Sequence, residues 1–446
     1  MTTSAAGVAL SGVASIAATK ILATTLGPSA VASLQTLQQA RQTAVIAATS
    51  NGQTALVQGA SSLEGLKGAL FVRTAACVFL TGTLISSFGL ASLGRSSPVL
   101  HWILERTGLS SMGTSVLPWL GMAVALTSAY VFLTALLNAI GKVGTLAALQ
   151  VAGPCALAVL AYPAARAGGG RAIAILVTCS AAASSGAALV AILRNPASLR
   201  AWFWNSRRWW DNRAARHFFS ISTAMLTTGF LASATVVAVR GNIIRAEGLQ
   251  RTGLFDAAWS ISMNQVTLVL ASVQTYYLPA LARARTQTEK TSEISRVLIA
   301  GTMVAAIVIA GLVLWQSLVL DLFYSRAFQG AHQYLRWTLV GDYLKVSSWI
   351  LSVPMLAAAD MKLFLASDLA ASATFLGVAF LSTRWIEPAE GASVAFVLMY
   401  TVHLIITLFY VRLRQGIRLD FRTIACWMAG LALVLTATSL GWKVGM

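Results

Sequence analysis

Apolar residues run along this chain in blocks of roughly twenty, and most blocks end at a break that holds glycine, proline or arginine. A helix of about 20 apolar residues crosses the hydrocarbon of a bilayer, so each block predicts a membrane span. Six lie in the first half, at 5–26, 30–58, 70–93, 115–138, 143–163 and 172–193. Six more lie in the second half, at 217–239, 254–281, 297–320, 337–358, 363–382 and 391–411, and 423–442 is a further candidate. The pattern predicts an all-α polytopic membrane protein. Two six-helix lobes, 1–193 and 217–411, flank a linker at 194–216, and a basic loop plus the thirteenth candidate fills 412–446. The block from Ala5 to Leu26 lacks a basic leader and runs on into more apolar sequence, which predicts a first span rather than a cleaved signal peptide.

Two spans break the apolar rule. In the second, Gln35, Gln38, Gln42, Thr49 and Gln53 recur at near-helical spacing, and Arg41 stands near the middle of an uncharged stretch from Ile21 to Ser62. A charge at that depth costs about 3 kcal/mol or more, so it is expected to face a protein interior or a watery cavity. The eighth span repeats the theme, with Asp256, Ser260, Asn264, Thr267 and Gln274 on one helical face. One polar-striped helix per half predicts an internal repeat with a cavity between the lobes, the form of the parallel-repeat transporters.

Composition agrees. The hydrophobic share is 57% and the charged share 10%, with a mean hydropathy of +0.73, far from the roughly 25% charged share of soluble domains. The 32 Lys and Arg against 14 Asp and Glu would suggest nucleic acid in a soluble chain. In a membrane chain, topology signals and anionic lipids recruit basic residues to the bilayer edge. Lys and Arg are denser in the alternate loops that include 194–216 and 412–422, which predicts a cytoplasmic N-terminus.

The 194–216 segment mixes Trp202, Trp204, Trp209 and Trp210 with Arg207, Arg208, Arg213 and Arg216, as expected of a segment lying in the headgroup layer. Cys77, Cys155, Cys179 and Cys426 sit in apolar runs without metal or redox spacing. His101, His217, His332 and His403 are scattered, so neither a metal nor another cofactor is expected.

Three blocks carry a resemblance. Leu26 to Gly59 resembles the first helical hairpin of Wzx-type flippases for lipid-linked oligosaccharides, a branch of the multidrug/oligosaccharidyl-lipid/polysaccharide (MOP) exporter superfamily. Gly253 to Arg283 is similar to a second family block, ending in Tyr276, Tyr277, Leu278 and Pro279. Asp321 to Phe364 resembles the branch that handles enterobacterial common antigen lipid III, with Gly341, Asp342, Leu344 and Lys345 matching its Gly-Asp-x-Leu-Lys pattern. The sequence departs in having Ala30 where the family often has a second glycine after Gly27 and Pro28, and in its thirteenth candidate span.

The resemblance implies a cargo of oligosaccharide on undecaprenyl pyrophosphate, flipped from the cytoplasmic to the periplasmic leaflet of the inner membrane for surface polysaccharides such as O-antigen. A diphosphate needs donors to replace its water, and Lys20, Arg41 and Lys345 are the cations deep in spans. Each has a plainer alternative. Lys20 could snorkel to the outer interface, Lys345 could pair with Asp342 within its helix, and Arg41 is the hardest to bring to an interface. Asp256 could be solvated at a span end. Asp368 could pair with Lys345 or take a coupling proton or cation.

For the glycan, Gln35, Gln38, Gln42, Asn51, Asn264 and Gln274 offer amides, and Trp259, Tyr276 and Tyr277 offer aromatic faces, against an alternative of ordinary interhelical hydrogen bonds. A lipid II flippase or small-molecule antiporter of the same superfamily is the nearest alternative. A membrane glycosyltransferase or polymerase is disfavoured because the outer loops offer only isolated acids such as Glu105, Glu247 and Glu387. Partners implied by the resemblance are the lipid-linked oligosaccharide, membrane lipids, and a polysaccharide polymerase and chain-length regulator.

Overall fold

The computed structural model describes residues 2–62, 65–92, 105, 107–203, 208–284, 286–358 and 360–444. The expected outer loop from Gly94 to Thr114 falls mostly outside them, as do Trp204 and Arg207 of the basic linker. Among the described residues there are fifteen α-helices and no strand. Nine helices there are long and apolar enough to cross a membrane, which makes this a multi-pass membrane protein.

The chain forms two compact units, Met1–Arg245 and Ala246–Met446. The first holds α1 (Thr2–Leu26), α2 (Pro28–Ala48), α3 (Gln53–Ser62), α4 (Gly65–Ser92), α5 (Leu117–Ala139), α6 (Val143–Ala167), α7 (Gly169–Leu193) and α8 (Pro196–Phe203). It also holds the leading part of α9 (Asn212–Arg283). The second unit holds the rest of α9, then α10 (Gln287–Leu314), α11 (Gln316–Phe323), α12 (His332–Ala357), α13 (Met361–Leu381), α14 (Pro388–Leu413) and α15 (Phe421–Val444).

The division differs from the expected break at 194–216. That segment is tied down instead. Arg73 of α4, fully buried, donates from Nε to the Trp202 carbonyl at 2.7 Å and from a terminal nitrogen to the Arg208 carbonyl at 3.0 Å. Phe218 of α9 packs into the core of the first unit with Phe71 and Phe79 of α4. The seventh span therefore belongs with the first unit. Between the expected seventh and eighth spans the chain breaks at Gly248 (φ 79°, ψ 174°), where two helices meet at a kink within α9.

The second expected span is two helices. Ser50 and Asn51 take left-handed φ of 51° and 46° and separate α2 from α3. Asn tolerates that region because its side chain finds local or nearby backbone partners. Here its amide nitrogen donates to the Met225 carbonyl of α9 at 2.6 Å.

In the first unit α1 lies along α6, and α5 packs between α4 and α7. Leu22, Leu34, Leu37, Leu120 and Val177 are buried together in its core. In the second unit α12 lies against α14, α10 against α12 and α15, and α13 against α14. The thirteenth candidate span, α15, is held by Tyr343 donating to the Trp427 carbonyl at 2.6 Å and by Trp427 Nε1 donating to Ser347 at 2.9 Å.

Candidate functional site

α2 and α12 are not among the nine most lipid-compatible helices. They carry Arg41 and Lys345, and the polar residues beside those cations lower their hydropathy. α12 is buried along nearly its whole length, as a helix with polar side chains at membrane depth must be.

On α2 the polar positions divide between two faces. Gln39 donates to Ser233 of α9 at 2.9 Å, and Thr43 shares a 2.6 Å hydrogen bond with the same hydroxyl. That face holds α2 to α9. Gln38, Arg41 and Gln42 fall on the neighbouring face, where residues three and four apart meet. Gln35, Gln38 and Arg41 are half-buried and Gln42 is exposed. The Arg41 Nε is buried and has no hydrogen-bond partner among the described residues. A guanidinium left with a dry donor is costly, so it is a ready site for an anion. Lys20, on α1, is also half-buried.

The second unit builds a different environment. Trp259 of α9 stacks on Phe375 of α13 at 5.9 Å and meets Phe396 of α14 edge-on at 5.0 Å. Tyr400 lies 4.9 Å from Phe396, again edge-on. Into this cluster comes Lys345. Its Nζ is 5.6 Å from the Tyr400 ring centre, 5.9 Å from that of Phe396 and 3.3 Å from the Met263 sulfur. Asp342, fully buried, accepts a 2.9 Å hydrogen bond from Ser262 of α9. Lys345 thus has aromatic faces about it as well as Asp342 three residues before it on the same helix. Asp368 of α13 has Oδ1 3.8 Å from His403 Nε2 on α14.

The Gly-Asp-x-Leu-Lys pattern has a packing reason at its glycine. A Cβ on Gly341 would stand 2.3 Å from Phe396 Cδ1. Only glycine lets α14 bring that ring against α12.

No protein-family model matches the chain. It is 23% identical over 185 residues, 41% of this chain, to the lipid III flippase of Escherichia coli K12, and equally to that of Shigella flexneri. The chain covers 43% of the length of each. A multidrug resistance MATE family transporter of the MOP superfamily, in its inward-facing conformation, superposes with a TM-score of 0.72 at 15% identity, covering 90% of this chain and 94% of that one. The lipid II flippase MurJ superposes with a TM-score of 0.71 at 12% identity, over 99% of both chains. The chain has the fold of the MOP superfamily. The matched 185 residues are 23% identical to a lipid III flippase, the kind of protein that the Asp321 to Phe364 block resembles.

Within the MOP fold several expected glycan contacts have other tasks. Asn51 is spent on the Met225 carbonyl at the helix break. Tyr277 is fully buried, closed to a sugar. Asp256 is fully buried rather than solvated. Trp259 is half-buried within the aromatic cluster. Asn264 is exposed on α9. The Gln274 and Tyr276 side chains lie outside the described residues.

Two of the acids expected on outer loops, Glu247 and Glu387, are not isolated. Glu247 accepts from the Ala389 amide at 2.7 Å, at the start of α14, and Arg251 pairs with Glu387. Sequence reasoning missed Gln39, Thr43, Arg73 and Ser233. The i, i+4 spacing of Gln39 and Thr43, offset from Gln38 and Gln42, was the available signal for the first two.

Proposed function

We propose that the chain is a flippase for an oligosaccharide carried on undecaprenyl pyrophosphate, moving it from the cytoplasmic to the periplasmic leaflet of a bacterial inner membrane. The observation that carries the reading is Arg41, whose buried Nε has no protein partner among the described residues and which sits on the polar face of α2. A diphosphate is the anion that such a donor suits, by charge and by bidentate geometry. Lys20 and Lys345 supply further positive charge. The lipid III flippase match and the MOP fold support a transporter over an enzyme.

In this reading the N-terminus is cytoplasmic, and the cargo crosses by alternating access. The glycan passes along Gln35, Gln38 and Gln42, and the lipid tail stays in the bilayer. Polymerase and chain-length regulator act downstream as partners. Cells lacking the chain would accumulate the lipid-linked oligosaccharide in the inner leaflet, measured by accessibility to a membrane-impermeant glycan label. Normal exposure of the glycan on the outer leaflet in such cells would reject the proposal.

A further inference from the structure

The second unit contains a cavity of about 550 Å³ between α10, α12, α14 and α15, within the roughly 300–1,000 Å³ range of ligand sites. Leu351, Leu404, Ile417 and Trp427 line it, and Arg412 and Arg418 stand in the same wall. It sits where the candidate spans Pro388–Leu413 and Phe421–Gly441 end and restart. Ends of apolar spans are where the headgroup layer of a bilayer lies.

Three features point to one occupant. The lining includes Ile405, Leu408 and Phe409, whose side chains face outward from the helix. The cavity therefore opens sideways, where acyl chains lie in a bilayer. Its two charged wall residues are both arginines, and both are exposed. Asp420, the one acid between Arg412 and Arg422, is committed to the start of α15, where it accepts from Thr423 Oγ1 and from the Thr423 amide at 3.1 Å. Those hydrogen bonds hold its carboxyl below the ordinary range, ionised and engaged.

The connecting turn is itself fixed. Ile417 donates to the Val411 carbonyl at 3.1 Å, Gln415 donates from its side chain to the Tyr410 hydroxyl at 3.1 Å, and Gln287 of α10 donates to the Gln415 carbonyl. Gly416 turns with φ 63°. Arg412 is thus presented from the last turn of α14 and Arg418 from a pinned turn.

We infer that this cavity binds an anionic diacyl phospholipid, one acyl chain in the apolar crevice and the phosphate between Arg412 and Arg418. Guanidinium pairs with phosphate by parallel N–H donors, and basic residues at a bilayer edge attract anionic lipid. A cavity of this volume takes one acyl chain and not a polyprenyl tail several times longer. The inference does not rest on the proposed flippase cargo.

The test is native mass spectrometry of the purified full chain with phosphatidylglycerol, phosphatidylcholine or undecaprenyl phosphate added. One phosphatidylglycerol should be retained in preference to phosphatidylcholine. R412A/R418A should weaken that retention by roughly tenfold or more, R412K/R418K should keep most of it, and Leu408→Trp should lose it with both arginines in place. Equal retention of phosphatidylcholine, unchanged retention by R412A/R418A, or displacement of phosphatidylglycerol by equimolar undecaprenyl phosphate would each overturn the inference.

Discussion

Lys345 of α12 points its ammonium at the ring of Tyr400 on α14, 5.6 Å from the ring centre. The pair lies within the second unit, and Lys345 is 9% exposed. Such contacts contribute about 0.5–2 kcal/mol, more when desolvated, and they leave the cation's hydrogen-bond donors available.

Two substitutions separate stability from cargo handling at this pair. Tyr400→Leu removes a π face and is expected to lower the thermal midpoint and weaken glycan export together. Lys345→Met keeps the length and apolar stem, so the midpoint should hold while export falls. If Lys345→Met exports normally, Lys345 is a packing residue only.

The approach of α14 to α12 depends on Gly341. Gly341→Ala should cost about 1–3 kcal/mol through overpacking against Phe396, read as a lower melting midpoint in detergent. Phe396→Leu removes the clashing ring, so the double variant should lose less than the two single losses added together. Strict additivity would mean the two residues do not touch.

The break between α2 and α3 depends on Asn51. Asn51→Ala removes the 2.6 Å hydrogen bond to Met225 and puts a side chain poorly suited to φ 46° at that point. The expected loss is about 1–3 kcal/mol, seen as a lower midpoint, with Asn51→Asp losing less than Asn51→Ala. A wild-type midpoint for Asn51→Ala would show that the break is held by its neighbours.

Arg73 anchors the basic segment that follows α8. Arg73→Met should free that segment, and limited trypsin digestion should cut among Arg207, Arg208 and Arg213 at a clearly higher rate than in the wild type. An unchanged cleavage rate would show that Asp211, through its hydrogen bonds to Thr74 and Ala214, holds the segment alone.

Much of the fold is legible because a bilayer admits helices with every backbone group satisfied internally, and runs of apolar residues mark them. The places where the reading failed are those decided by tertiary contact. Asn51 and Gly248 look like ordinary residues of polar breaks, yet one splits an expected span and the other marks a kink where two helices meet. Arg73 reads as a loop cation until its carbonyl partners from residues 202 and 208 are brought to it. Polar side chains in spans were visible as a stripe, but which face holds helices together depended on Ser233, 190 residues away from Thr43 in the chain. Arg41 stood out from sequence because nothing else nearby is charged, and the structure gives its Nε no competing task.

The most direct measurement is translocation of a lipid-linked oligosaccharide in proteoliposomes, scored by protection of its glycan from an impermeant glycosidase. The wild type should move it. Arg41→Ala should slow movement by roughly tenfold or more with reconstitution and melting midpoint unchanged, and Arg41→Lys should recover part of the rate. Movement at the wild-type rate by Arg41→Ala would contradict the assignment of Arg41 to the diphosphate, and absence of movement by the wild type would contradict the flippase itself.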